Sequence, residues 1–189
     1  MEHRIITVCN GLYRPEGTRI LYINGVITDE MACIFNLLLL ELESEDENSD
    51  ITLYINSPGG SVYAGLSMID TMDIVSCDIS TVCIGIAASM GAWLLMSGTK
   101  SKRFALPHSR VVLHQPLCDM GGINQVSDIK LMSDEMIRQK KELFDLVVER
   151  TGNLFSVVEK DCDRDFYLLA QEALQYGIID DILKSHQCR

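Results

Sequence analysis

Ile79-Ser80-Thr81-Val82-Cys83-Ile84-Gly85-Ile86-Ala87-Ala88-Ser89-Met90-Gly91-Ala92-Trp93-Leu94-Leu95-Met96-Ser97 is the stretch on which the fold turns. It carries no charge and, extended through Gly98 and Thr99, is long enough to cross a bilayer. Yet it begins as a β-rich run and contains Gly85, Gly91 and Gly98. We therefore read a buried strand over 79–85 leading into a buried helix over 89–97, not a membrane span. The same alternation holds upstream. Residues 19–24 read as a strand, 28–43 as an amphipathic helix, 44–50 as a polar, acidic loop, 51–56 as a strand and 61–75 as a helix. Strand, turn and helix, three times over, imply an α/β fold with a largely parallel sheet.

Downstream the pattern changes. Residues 103–106 and 110–114 read as short strands, and 117–124 as a glycine-containing extended arm. Residues 125–150 form one long helical stretch rich in Lys, Glu, Met and Leu, longer than a typical globular helix. We expect it to project and to pack against a partner subunit. No linker or repeat divides the chain, so 1–189 reads as one domain, large enough to bury a substantial core.

A net charge of −11 argues against nucleic-acid binding, which needs clustered Lys and Arg. The seven cysteines include no CxxC pair, and several lie in apolar runs. They read as reduced, mostly buried small hydrophobes of a cytosolic protein, not as a disulfide frame or zinc site. Residues 1–17 carry Glu2 and Arg4 and no apolar core, so no signal peptide is expected.

Three places carry chemistry. Ser89 lies where a buried strand ends among small residues and a helix begins, so the Met90 N–H would face an oxyanion formed beside it. The blander reading is that Ser89 caps the helix. The GxSxG pattern is absent, because position 87 is Ala. Second, Asn56-Ser57-Pro58-Gly59-Gly60-Ser61 joins strand to helix with two glycines, which suits outward-facing N–H groups. It could equally be a simple tight turn. Third, His114 ends the apolar strand Val111-Val112-Leu113, where a general base can meet a nucleophile from another element. His3, His108 and His186 lie near the termini or on a loop. Any of Asp161, Asp163 and Asp165 could orient the imidazole, and spacing alone does not choose among them.

Taken together, and in this order, Leu53–Gly60, Ala87–Ala92, His114-Gln115-Pro116-Leu117 and Arg164-Asp165 resemble the Clp protease proteolytic subunit, ClpP. Glu172-Ala173, Tyr176-Gly177 and Asp180 follow in keeping. The resemblance implies a ClpP/crotonase-like spiral of ββα units with a protruding handle over 117–150. It implies Ser89 as nucleophile, His114 as base, Asp165 as orienting acid, and the N–H groups of Gly60 and Met90 as the oxyanion hole. It also implies two stacked heptameric rings, with Asp163 and Arg164 at the contact between them. The substrates would be unfolded polypeptides fed by a AAA+ Clp ATPase, with no metal or bound cofactor. No Walker A motif occurs in the chain, so the ATPase must be a separate protein.

Three departures from the family pattern stand out. Residues 1–18 form an atypical N-terminal axial segment. Thr52 and Ile74 stand where aromatics often line the pocket for the ATPase loop, whereas Tyr54 is kept. The arm reads Leu117-Cys118-Asp119-Met120-Gly121-Gly122, with its glycines displaced. They raise the alternative of a weakly active or regulatory subunit that assembles with a second ClpP. A crotonase-like acyl-CoA enzyme is the other rival, but it has no use for a Ser89–His114 pair.

Overall fold

Asn10-Gly11 turns the chain between β1 (Ile5–Cys9) and β2 (Leu12–Pro15), with Gly11 at φ 83°. Types of hairpin turn that need positive φ favour this dipeptide. The computed structural model describes residues 5–118, 121–123 and 125–184. The hairpin extends the sheet antiparallel to β3 (Ile20–Asn24), so from Ile5 onward the atypical N-terminal segment is part of the sheet. The heart of the sheet is parallel: β3, β4 (Ile51–Ser57), β5 (Ile79–Ala88) and β6 (Arg103–Ala105), in that order.

The intervening helices are α1 (Asp29–Glu45), α2 (Val62–Ile74) and α3 (Met90–Met96). Thr28 caps α1 by accepting the Met31 N–H at 3.2 Å, and Ser61 caps α2 by accepting the Ala64 N–H at 3.3 Å. Alternation along β4 sorts its faces. Ile51, Leu53, Ile55 and Ser57 are buried, whereas Thr52, Tyr54 and Asn56 are half-buried. Ile51, Leu53 and Ile55 pack in one core with Met31, Phe35 and Leu39 of α1 and with Met68 and Met72 of α2. Every residue of α3 is buried, which explains its unbroken apolar sequence. The uncharged run is therefore strand plus buried helix, and no helix among the described residues is long and apolar enough to cross a membrane.

β7 (Arg110–Leu113) pairs with the end of β5 and, antiparallel, with β8 (Phe166–Leu169). Between β7 and β8 run α4 (Val126–Thr151) and α5 (Phe155–Asp161). Only Leu143, Phe144 and Val147 of α4 are buried, and residues 126–134 are exposed all round. The first turns of α4 are thus open to solvent, whereas Glu135 accepts the Tyr63 hydroxyl of α2 at 3.4 Å. The second half of α4 is seated by the Trp93 indole N–H, which donates to the Leu143 carbonyl at 2.9 Å.

The C-terminal part closes with α6 (Ala170–Tyr176) and β9 (Asp181–Ile182), which pairs with β6. Arg103, 5% exposed, locks this edge. It donates from Nε and Nη2 to the Asp180 carboxylate at 2.9 and 2.7 Å, and from Nη1 to the Arg150 carbonyl at 3.0 Å. Burial alone would raise the Asp180 pKa, but the Arg103 hydrogen bonds and charge outweigh it and hold the carboxyl below its usual value.

Candidate active site

β5 is longer than its sequence suggests because it serves two partners. Thr81–Cys83 pair with β6, whereas Ile86–Ala88 pair with β7. Between these parts, β4 advances from Ile55 to Ser57 while β5 advances from Cys83 to Ala87, so β5 carries a bulge. Gly85 sits in it at φ 77°. The glycine read as the end of the strand is its kink.

Ser89 follows directly, at φ 50° and ψ −133°. A non-glycine residue there stores about 1–3 kcal/mol, and such strain gathers at functional positions. The strained strand-to-helix turn of a nucleophile elbow is thus formed without GxSxG. The Ser89 N–H donates to the Val112 carbonyl at 2.9 Å, and its side chain makes no capping hydrogen bond. Ser89 thus holds the N-cap position of α3 through its backbone alone. Met90 is the first residue of α3, so its N–H has no intrahelical acceptor.

The 58–60 loop packs against this elbow. A Cβ on Gly59 would lie 2.5 Å from the Ser89 Cβ, and one on Gly60 would lie 2.1 Å from the Ile27 carbonyl oxygen. Only glycine fits at either place. Gly60 forms a parallel bridge with Ile27, made by the Ile27 N–H to the Gly59 carbonyl (2.8 Å) and the Ser61 N–H to the Ile27 carbonyl (3.0 Å). The Gly60 N–H takes no part in either bond. Ser57, fully buried, accepts the Gly59 N–H at 3.1 Å and donates to the Gly25 carbonyl at 2.7 Å. Sequence reading missed this brace, for which a small hydroxyl before Pro-Gly-Gly is the signal.

Gly60, Ser89, Met90 and His114 line one cleft of about 240 Å³, together with the apolar Val62, Trp93 and Leu117. His114 is half-buried and its Nδ1 lies 2.6 Å from the Gln115 carbonyl oxygen. A carbonyl only accepts, so Nδ1 carries the proton and Nε2 of the neutral ring is left basic. That is the tautomer a general base needs. His108 is exposed on the loop before β7 and does not line the cleft, while His3 and His186 lie outside the described residues.

The three aspartates separate. Asp161 accepts the Tyr176 hydroxyl at 3.3 Å. The Asp163 carbonyl accepts from Gln115 Nε2 at 2.8 Å, and its carboxylate lies 3.6 Å from the exposed Arg164 guanidinium. Asp165 is exposed and directly precedes β8, whose pairing with β7 ends at Leu113 opposite Phe166. Among the described residues no hydrogen bond joins His114 to Ser89 or to Asp165.

The buried thiols Cys83 and Cys162 do not compete for the nucleophile's role. Burial pushes the Cys83 thiol up to about 11, and burial with the neighbouring Asp161 charge pushes Cys162 up to about 12.

A second cleft, of about 490 Å³ and wholly apolar, lies on the other face of the sheet, lined by Tyr13, Pro15, Ile20, Tyr22, Tyr54 and Ile84. Tyr22 stacks on Tyr54 with centroids 6.3 Å apart, and Tyr13 meets Tyr22 edge-on at 6.4 Å. Thr52 and Ile74 do not line it. The hairpin supplies Tyr13 and Pro15, so three tyrosines remain despite Thr52.

A serine on a strained elbow, unpaired N–H groups and a correctly protonated imidazole, all at one end of an α/β sheet, have the makings of an acyl-transfer hydrolase. Residues 2–186 match the family model described as Clp protease, and the chain belongs to that family. It is 49% identical over 169 residues, covering 89% of this chain and 75% of the relative, to the ATP-dependent Clp protease proteolytic subunit of Porphyromonas gingivalis (strain ATCC BAA-308 / W83).

Proposed function

We propose that this chain is the proteolytic subunit of an ATP-dependent Clp protease, a serine endopeptidase that cleaves unfolded polypeptides. The observation that carries the reading is the Ser89 elbow, opening into one cleft with Gly60, Met90 and His114. His114 Nε2 takes the Ser89 proton as Oγ attacks the peptide carbonyl. The Gly60 and Met90 N–H groups receive the oxyanion, a contribution of about 100–1,000-fold in rate for each such donor. His114 then returns the proton to the leaving amine, and water resolves the acyl-enzyme. Asp165 orients the ring once Nδ1–H exchanges the Gln115 carbonyl for its carboxylate.

Assembly follows the same reading. The exposed half of α4 and the arm before it form the handle between two heptameric rings, with Asp163 and Arg164 at their contact. The tyrosine-lined cleft receives a loop of a separate AAA+ ATPase, and the particle works in the cytoplasm. The case for a weakly active subunit that needs a second ClpP rested on the N-terminal segment, on Thr52 and Ile74, and on the displaced glycines of the arm. Tyr13 and Tyr22 beside Tyr54 weaken the second of these motives.

Acid assignment gives the first test. Asp165→Asn should lower kcat for a short fluorogenic peptide by about 10,000-fold, as loss of the tautomer-setting acid does elsewhere. Asp161→Asn, which trims only the Tyr176 contact, should stay within about 10-fold. The reverse order would move the acid to Asp161.

A further inference from the structure

The bulge in β5 needs a substitute for the ladder bonds it breaks, and Asn56 provides one. Its Oδ1 accepts the Ile86 N–H at 3.2 Å, in the gap between the Ile55↔Cys83 and Ser57↔Ala87 pairs. Its Nδ2 donates to Asn24 Oδ1 at 2.7 Å, which fixes the amide's orientation. Its backbone carbonyl accepts the Gly25 N–H at 3.0 Å. A Cβ at Gly85 would lie 2.6 Å from Asn56 Oδ1, so glycine there makes room for the amide as well as for φ 77°.

Beyond this graft, Ile86, Ala87 and Ala88 leave the line of β6 and pair with Arg110, Val111 and Val112. The next residue is Ser89, tied to Val112, and two residues past Val112 is His114. The direction of the last turn of β5 therefore decides how the nucleophile's strand meets the base's strand.

We propose that Asn56 is a positioning residue for the Ser89–His114 pair: its amide replaces the missing ladder bond at the β5 bulge and so aims the elbow at β7. It touches neither substrate nor the reacting atoms. The inference rests on the peptidase reading above and adds a residue to it. An amide suits the task because it accepts from Ile86 and donates to Asn24 at once. An error of about 1 Å in the placement of a nucleophile costs on the order of 100-fold in rate, so loss of the graft should appear in the chemical step.

The test compares Asn56→Ala, Asn56→Asp and Asn24→Ala with the unmodified protein. Each is assayed for kcat and KM on a short fluorogenic peptide, for the rate of fluorophosphonate acylation, and for assembly by sedimentation. Asn56→Ala should lose about 10–100-fold in kcat and by the same factor in acylation rate, with KM within about 3-fold and assembly intact. Asn56→Asp keeps the acceptor for Ile86, and Asn24 can turn its own amide to donate, so most of the rate should return. Asn24→Ala, at an exposed strand end, should lose about 3–10-fold in kcat alone, and decides the matter if Asn56→Ala does not fold. Unchanged kcat in the folded variants overturns the inference, as does equal loss in Asn56→Ala and Asn56→Asp, or a loss confined to KM or assembly. Failure of the unmodified protein to be acylated would overturn the peptidase reading itself, and the role of Asn56 with it.

Discussion

Gly59 and Ser89 approach so closely that not even a methyl group fits between them. Gly59 also sits at φ 96°, where any side chain is strained. Gly59→Ala should therefore push the 58–60 loop off the elbow and move the Gly60 N–H with it. We expect kcat on a short peptide to fall by about 100-fold or more, while thermal unfolding shows a loss of about 1–3 kcal/mol. Near-normal kcat would mean that the loop does not contribute to the oxyanion site. At this scale the sequence was informative about residue type. Ser89 and His114 each follow the end of a separate apolar strand, where a reactive side chain can reach a cleft, and both line one. The work of Asn56 and Ser57 was not legible, because it depends on which strand lies alongside and where its register slips. Neither property is local.

Among the elements, α1 and α2 lie within a residue or two of the spans 28–43 and 61–75 expected of them. β5 ran on to Ala88 because a glycine that ends most strands here marks a bulge bridged from β4. The β1–β2 hairpin went unread although Asn10-Gly11 announces it. The α4 helix divides in two. Leu143, Phe144 and Val147 are buried, whereas Leu131 is 67% and Met132 39% exposed. If the outer half is the handle between rings, paired Leu131→Glu and Met132→Glu changes should reduce the assembly's mass in sedimentation. The protomer's thermal unfolding should barely move, because both residues are exposed and outside the buried core. Each buried aliphatic is worth roughly 1.5–3 kcal/mol, and the loss repeats at every copy of the contact. A full-sized assembly from the double variant would place the contact elsewhere.

Across the whole molecule, one sheet gathers residues distant in sequence at a single end. β4 delivers Asn56 and the glycine loop, β5 delivers Ser89, β7 delivers His114, and Asp165 directly precedes β8, the antiparallel neighbour of β7. The parallel order of β3, β4 and β5 was readable from the alternation of strand and helix. The double pairing of β5 was not, since β6 and β7 look alike in sequence and only the bulge decides which half each one meets. The central claim, that Ser89 is a strained, activated nucleophile, has a direct measurement. The protein is treated with a fluorophosphonate and digested, and the adduct is located by mass spectrometry, alongside a folded Ser89→Ala variant. The account predicts a single adduct on Ser89, none in the variant, and peptide cleavage lost in step with labelling. An unlabelled Ser89, or full cleavage by the variant, would contradict it.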